Sequence, residues 1–155
     1  MNVALTVNGE RHVIDVEPRC TLADALREKC GKTGTNIGCE HGVCGACTVL
    51  VEGDPVRSCL LFAVQLDGKS IRTVEGLEQD GRLDELQRAF TEHHALQCGY
   101  CTPGFLMLAT AYLEKNGKPD EEAIRELVAS NLCRCTGYQN IVRAICVAAE
   151  RLQSR

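Results

Sequence analysis

The sequence predicts an α+β protein in which a half that contains β-strands precedes a helical half. Apolar residues alternate with polar ones in stretches of the first 75 residues, whereas after residue 82 they recur with the helical period of about 3.6. In addition, eleven cysteines occur in 155 residues, and eight of them form two sets of four. The change of period predicts two domains, residues 1–76 and 77–155.

The first element is a predicted β-hairpin. Apolar residues at positions 3, 5 and 7 alternate with polar neighbours, and Asn8-Gly9 is a typical two-residue turn that returns the chain along residues 13–16. A short helix follows, because Thr21 to Asp24 is a capping-box pattern and the apolar stripe continues to about Cys30.

The remainder of the first half is predicted as a glycine-rich loop and two further strands. The loop covers residues 31–45, a β-rich run follows at 48–51, and a turn is predicted at 53–55. Another candidate strand covers 70–74, and the glycine-containing segment after it interrupts the pattern.

Four helices are predicted in the second half. Pro103 suits a first helical turn and Asp120 is an expected N-cap. The last helix places Ile141, Ala144, Ile145, Ala148 and Leu152 on one face, so a small helical bundle is expected. The predicted helices cover residues 83–93, 103–115, 121–131 and 138–152.

Composition excludes several classes of function. With 17 basic and 21 acidic residues the net charge is -4 and no block of like charge occurs, which argues against nucleic acid as a partner. No apolar run approaches the roughly 18 residues that cross a bilayer. The opening residues lack an export signal, so a cytoplasmic protein is expected and its cysteines indicate metal rather than disulfides.

The first cysteine set has the plant-type ferredoxin spacing for a 2Fe-2S cluster, with four, two and eleven residues between its members. Glycines at 38, 42 and 45 let the backbone turn its amides toward an anionic cluster. Zinc usually takes two short cysteine pairs and is disfavoured here. The Cys39-Glu40-His41 run resembles half of a Rieske motif but lacks the second half, so His41 is expected to be a solvated loop residue. The set consists of Cys39, Cys44, Cys47 and Cys59.

The second cysteine set is a Cys-x2-Cys pair followed, after 31 residues, by a Cys-x-Cys pair. If the intervening residues form a helix pair, the hairpin brings both pairs to one end of a bundle. Because two short pairs are also typical of zinc, this set by itself leaves zinc and an iron-sulfur cluster open. The set consists of Cys98, Cys101, Cys133 and Cys135.

Three segments carry a resemblance to a known family. The first is residues 38–49, in which Gly38 precedes Cys39 and Gly45 follows Cys44. The others are residues 97–104, which read Gln-Cys-Gly-Tyr-Cys-Thr-Pro-Gly, and residues 131–138, which read Asn-Leu-Cys-Arg-Cys-Thr-Gly-Tyr. The chain resembles the iron-sulfur subunit of the xanthine oxidase family of molybdenum hydroxylases over nearly its whole length. Its length is similar to the separate small subunit of three-subunit bacterial enzymes of the carbon monoxide dehydrogenase type.

This resemblance implies an N-terminal β-grasp, plant-type ferredoxin domain followed by a C-terminal four-helix bundle, each with one 2Fe-2S cluster. It implies a large subunit with molybdenum-molybdopterin cytosine dinucleotide and a medium subunit with FAD, in a heterotrimer or a dimer of heterotrimers. It places the second cluster nearer the molybdenum, the first nearer the FAD, and residues Gln97 and Cys135 in contact with the pterin.

The function expected from these observations is non-catalytic electron transfer within a molybdenum-flavin oxidoreductase. One alternative is a free-standing diffusible ferredoxin, which predicts a monomer with an acidic docking face. Another is a zinc or iron sensor, which predicts zinc or a reversibly lost cluster. Cys20, Cys30 and Cys146 match no ligand position and are expected to pack as small apolar residues. Asn36 and His94 depart from the residues, Lys and Gly, that the family often has there.

Overall fold

A β-hairpin opens the fold, as predicted. In the computed structural model, which describes residues 1–78, 81, 84–117 and 119–154, β1 (Asn2–Val7) pairs antiparallel with β2 (Glu10–Asp15). The turn residues Asn8 and Gly9 have φ values of 52° and 83°. Positive φ at both positions is what a tight hairpin turn with the right twist requires, so the Asn-Gly signal is confirmed.

Three further strands complete the sheet in the described part of the chain. These are β3 (Thr48–Val51), β4 (Asp54–Arg57) and β5 (Ser70–Arg72). The strand order is β2-β1-β5-β3-β4, with β5 parallel to β1 and antiparallel to β3.

Strand β4 was not expected from the sequence, because Gly53-Asp54-Pro55 has the composition of a turn. The structure places the turn one residue earlier, at Glu52 and Gly53, which both have positive φ. Asp54 and Pro55 already pair with β3. A proline is tolerated there because β4 is an edge strand and needs no outward N–H donor.

The predicted short helix is present, but it changes from an α-helix to a π-helix after one turn. Thr21 caps α1 (Leu22–Asp24) by accepting a hydrogen bond from the Asp24 amide at 3.1 Å. The chain then continues as a π-helical segment, Ala25–Lys29, which the Cys30 amide closes by donating to the Ala25 carbonyl at 3.1 Å.

The four predicted helices are all found in the described residues, with shifted ends. They are α2 (Glu85–Glu92), α3 (Thr102–Asn116), α4 (Glu121–Val128) and α5 (Gln139–Gln153). Leu83, the predicted first residue of α2, lies outside the described residues. Pro103 occupies the first turn of α3, and the Asp120 carboxylate caps α4 by accepting from the Ala123 amide at 2.8 Å.

The helices pack as a closed set, because α2 and α4 each contact both α3 and α5. Their shared core includes Phe90, Phe105, Ile124 and Ile145. The predicted apolar face of α5 is buried except at Leu152, which is 48% exposed because it lies in the last turn of the helix. No helix in the described ranges is long and apolar enough to cross a membrane.

A second core lies under the sheet and includes Leu5, Leu22, Leu26 and Ile71. The two cores adjoin, because α3 packs against β3 and β4 and the β3 residue Leu50 belongs to the helical core. This packing brings the loop before β3 close to the segments that flank α3 and α4.

Candidate metal centres

The first cysteine set lies on one loop and on the strand hairpin that follows it. Cys39 and Cys44 are in the loop, Cys47 directly precedes β3, and Cys59 is in the 3₁₀ turn Ser58–Leu60 after β4. Because the β3–β4 register places Thr48 opposite Arg57, Cys47 and Cys59 become neighbours and their thiols interact.

The loop turns its backbone toward the thiols. Glu40, Gly42 and Gly45 all have positive φ, between 56° and 83°. The Cys44 amide donates to the Cys39 sulfur at 3.4 Å. A Cβ atom at position 38 would lie 3.0 Å from the Cys44 sulfur, so this position has little room for a side chain.

These contacts separate the acidities of the thiols. Hydrogen bonds from the backbone amides of Cys44 and His41 lower the pKa of Cys39 to about 6. Burial, together with its hydrogen bond to Cys47, raises the pKa of Cys59 to about 11. Cys39 is therefore a ready thiolate donor, whereas Cys59 ionises at neutral pH only when a cation compensates the charge.

In the iron-free chain, Cys39 is expected to react with iodoacetamide before the other thiols. The thiolate is the nucleophile and its fraction rises as pH rises through the pKa, so labelling of Cys39 should be half-maximal near pH 6. Residue-resolved mass spectrometry between pH 5 and 8 measures this. Cys20, whose pKa is raised by burial, is the control; equal labelling rates at pH 7 would contradict the prediction.

The second cysteine set is assembled by the α3–α4 hairpin, as the sequence predicted. Cys98 and Cys101 precede α3, and Cys133 and Cys135 lie between α4 and α5. The sulfurs of Cys98 and Cys135 are 3.6 Å apart, and the thiols of Cys101 and Cys133 also interact.

Hydrogen-bond donors also surround this set. Thr136 donates to the Cys133 sulfur from its amide at 3.4 Å and from its hydroxyl at 3.0 Å. Although burial opposes the effect, these bonds lower the pKa of Cys133. Burial and the hydrogen bond with Cys133 raise the pKa of Cys101 to about 12, and the hydrogen bond with Cys98 raises that of Cys135.

Both sets fit a 2Fe-2S group. Thiols contact one another in pairs, and a binuclear cluster takes two thiolates on each iron. Among the residues that the structure describes, the buried hydroxyl of Thr102, which directly follows Cys101, has no hydrogen-bond partner.

The other predicted site residues take the following places. Gln97 and Cys135 are both exposed, and Gln97 directly precedes Cys98 of the second set. His41 is exposed, with Nδ1 2.6 Å from the Cys39 carbonyl oxygen.

Burial raises the pKa of each of three thiols outside both sets, which agrees with packing rather than ligation. These thiols are Cys20, Cys30 and Cys146.

A set of contacts that sequence reasoning missed joins the two centres, and we call it the seam. Arg57 donates from Nε to the Gly42 carbonyl and from its two terminal nitrogens to Thr48 Oγ1 and the Ser130 carbonyl. No local pattern marks this arginine, because its partners lie up to 73 residues away.

The seam also contains hydrogen bonds to backbone carbonyls between the loops that carry the cysteines. The Leu132 amide donates to the Cys44 carbonyl at 2.9 Å. Tyr100 donates its hydroxyl to the Ile37 carbonyl at 2.7 Å, and Asn36 donates to the Tyr100 carbonyl at 2.9 Å. Asn36, one of the two departures from the family pattern, thus makes a hydrogen bond within this chain.

His94, the other departure, has a φ of 51°, a conformation that favours glycine.

Exposed apolar side chains lie close in sequence to both cysteine sets. Beside the first set these are Val43, Leu60 and Phe62, and beside the second they are Leu96, Tyr100 and Leu132.

Comparisons with known proteins agree with two iron-sulfur units. A family model described as a 2Fe-2S iron-sulfur cluster binding domain matches residues 5–74, and one described as a [2Fe-2S] binding domain matches residues 73–146. The nicotine 6-hydroxylase small subunit of Paenarthrobacter nicotinovorans is 57% identical over 145 residues, which are 94% of this chain and 87% of that protein.

Two solved structures extend the comparison. Quinoline 2-oxidoreductase from Pseudomonas putida 86 superimposes with a TM-score of 0.95 and 53% identity, over 99% of this chain and 96% of that one. Aldehyde oxidoreductase from Desulfovibrio gigas gives a TM-score of 0.93 and 39% identity over 99% of this chain, but only 17% of the longer chain is covered.

Proposed function

The chain belongs to the small 2Fe-2S subunits of xanthine oxidase family hydroxylases, and on that premise we propose that it carries electrons between a molybdenum-cofactor subunit and a FAD subunit of a heterotrimeric hydroxylase. The observation that carries this proposal is the pair of thiol sets joined by the seam. The chain is a non-catalytic electron-transfer subunit of an oxidoreductase complex.

We assign the four thiols of the first set to one cluster and the four of the second set to the other. When bound, each 2Fe-2S cluster takes up and releases one electron. Cys39, Cys44, Cys47 and Cys59 would hold the first, and Cys98, Cys101, Cys133 and Cys135 the second. The amide donors at Cys39 and the Thr136 donors at Cys133 stabilise thiolate charge and orient these ligands.

Two groups of exposed apolar side chains support placement between two subunits. Exposed apolar groups near each thiol set, such as Leu60 beside the first and Leu132 beside the second, are of the kind that partner interfaces cover. We place the FAD subunit on the first side and the molybdenum subunit on the second. A diffusible ferredoxin would instead need an acidic docking face, and the mild net charge of -4 offers little support for one.

The fold supports a division of the chain into two domains. We propose a β-grasp ferredoxin domain for residues 1–76 and a four-helix bundle for residues 77–155. The segment before the boundary is held by the first domain, because Thr73 donates its amide to Asn8 Oδ1 at 2.9 Å and a Cβ at Gly76 would lie 2.4 Å from the same oxygen.

Gln97 and Cys135 are proposed to contact the pterin of molybdopterin cytosine dinucleotide on the large subunit. Both are exposed, and Gln97 adjoins Cys98, whose sulfur lies 3.6 Å from that of Cys135. Their surface position supports contact with a group on another chain.

Gln97→Ala is expected to slow reduction of the clusters by substrate about tenfold, since groups that orient a metal centre or its neighbours have effects of this size. Rapid-mixing spectroscopy of the assembled complex measures this. The matched control is Gln139→Ala, an exposed glutamine at the start of α5. Equal rates and equal assembly of both variants would remove Gln97 from the pterin contact.

Elemental analysis of the natively expressed complex tests the proposed function. About four iron atoms and one molybdenum per copy of this chain are expected from two binuclear clusters and one partner. Iron without molybdenum or flavin in a monomer would favour the diffusible ferredoxin. Zinc in place of iron would overturn the cluster assignment.

A further inference from the structure

We propose that Asn131 is a positioning residue that fixes the two cysteine sets relative to each other and so sets the rate of electron exchange between them. This inference rests on the proposed function. Asn131 is not in either cysteine set, lies just after the end of α4, and is 1% exposed.

Asn131 is fitted against the loop of the first set. Its Nδ2 donates to the Gly45 carbonyl at 3.3 Å, across 86 residues of sequence. A Cβ at Gly45 would lie 2.1 Å from Asn131 Oδ1, so the asparagine fills the space that this glycine leaves. A buried amide in this position holds the Gly45 backbone between the two centres.

The same contact supports a connection between ligands of the two sets. Gly45 follows Cys44, whose carbonyl accepts the Leu132 amide at 2.9 Å, and Leu132 directly precedes Cys133. A continuous path therefore joins Cys44 to Cys133. It consists of covalent bonds and this one hydrogen bond. Electronic coupling decays less through such bonds than through space, so the path depends on the geometry that Asn131 maintains.

The other side-chain contacts of the seam are more exposed than Asn131. Arg57 donates to the Ser130 carbonyl at an exposed position, as Asn36 does to the Tyr100 carbonyl. Exposed hydrogen bonds open readily to water, whereas a buried one is retained because breaking it leaves an unpaired polar group. Asn131 is thus the side chain best placed to keep the two loops at a fixed separation.

The experiment uses the native complex carrying Asn131→Asp or Asn131→Ser. Either change removes the Nδ2 donor, and the serine variant avoids a buried charge if the aspartate variant assembles poorly. Asn140→Asp is the matched control, because Asn140 also donates Nδ2 to a backbone carbonyl at 3.3 Å, that of His94, but the bond is exposed and is not one of the seam contacts.

The readouts are the rate of electron exchange between the clusters after rapid one-electron reduction and the spin–spin splitting of their EPR signals. We expect exchange to slow about tenfold in the Asn131 variants, with a changed splitting and unchanged iron content, as for other groups that orient metal ligands. The Asn140 variant should match the native complex.

Exchange rates and splitting equal to the native values in both Asn131 variants would overturn the inference, even if their unfolding midpoints fell. That result would leave Asn131 with a structural role only. Absence of both cluster signals from the native complex would instead overturn the proposed function and, with it, this inference.

Discussion

Cys47→Ser is expected to halve the iron content of the chain, from about four atoms to about two, and to remove one of two EPR signals. Cys47 is 2% exposed and its thiol interacts with that of Cys59, so the variant loses one of the four thiols that we assign to the first cluster. Serine is close in size to cysteine, so the fold should be kept. Iron analysis and EPR of the reduced complex measure the outcome.

Two further variants make this test specific. Cys101→Ser should remove the other signal, because its thiol contacts Cys133 in the second set. Cys20→Ser should retain both signals, since Cys20 belongs to neither set and packs beside the core under the sheet. Persistence of both signals in Cys47→Ser would show that the ligand assignment is wrong.

Several elements were predictable because their causes are local in sequence. Asn8-Gly9 specifies a two-residue turn by its tolerance of positive φ, and Asp120 specifies a helix start by its carboxylate. The cysteine spacing likewise predicts both sets without any knowledge of the fold. In each case a few neighbouring residues contain the whole physical reason.

Elements that depend on distant partners were missed or displaced. Strand β4 forms because β3 offers it a hydrogen-bonding edge, although Asp54 and Pro55 by themselves favour a turn. The sequence pattern also extended α4 to Asn131, but the structure ends the helix at Val128 and uses Asn131 in the seam. Tertiary contacts decided both outcomes.

The pairing of thiols within the second cysteine set also could not be predicted from their spacing. Spacing groups Cys98 with Cys101 and Cys133 with Cys135, but the contacts observed are between the groups, Cys98 with Cys135 and Cys101 with Cys133. Which thiols meet is decided by how the α3–α4 hairpin returns the chain. Short spacing therefore predicts membership of a set and not which two thiols would share an iron.

Gly104→Ala is expected to destabilise the chain by about 2–3 kcal/mol, the cost of overfilling a well-packed site. Within a helix this substitution usually stabilises by about 1 kcal/mol, because alanine is the better helix former. Here the added Cβ would lie 2.2 Å from the Gly45 carbonyl oxygen and 3.1 Å from the Ala46 Cα, and backbone cannot move aside as a flexible side chain can.

The Gly45 carbonyl is held on several sides, which is why we expect a loss of stability rather than a small adjustment. It accepts from the Thr48 hydroxyl at 2.6 Å and from Asn131 Nδ2, so moving it breaks the seam as well. Urea unfolding of the cluster-loaded chain measures the effect, with Glu126→Ala on the exposed face of α4 as the control, expected within about 0.5 kcal/mol of the native chain. A Gly104→Ala midpoint equal to or above that of the control would show that the first turn of α3 approaches the loop at Gly45 and Ala46 less closely than the structure has it, and the role assigned to the seam would fail with it.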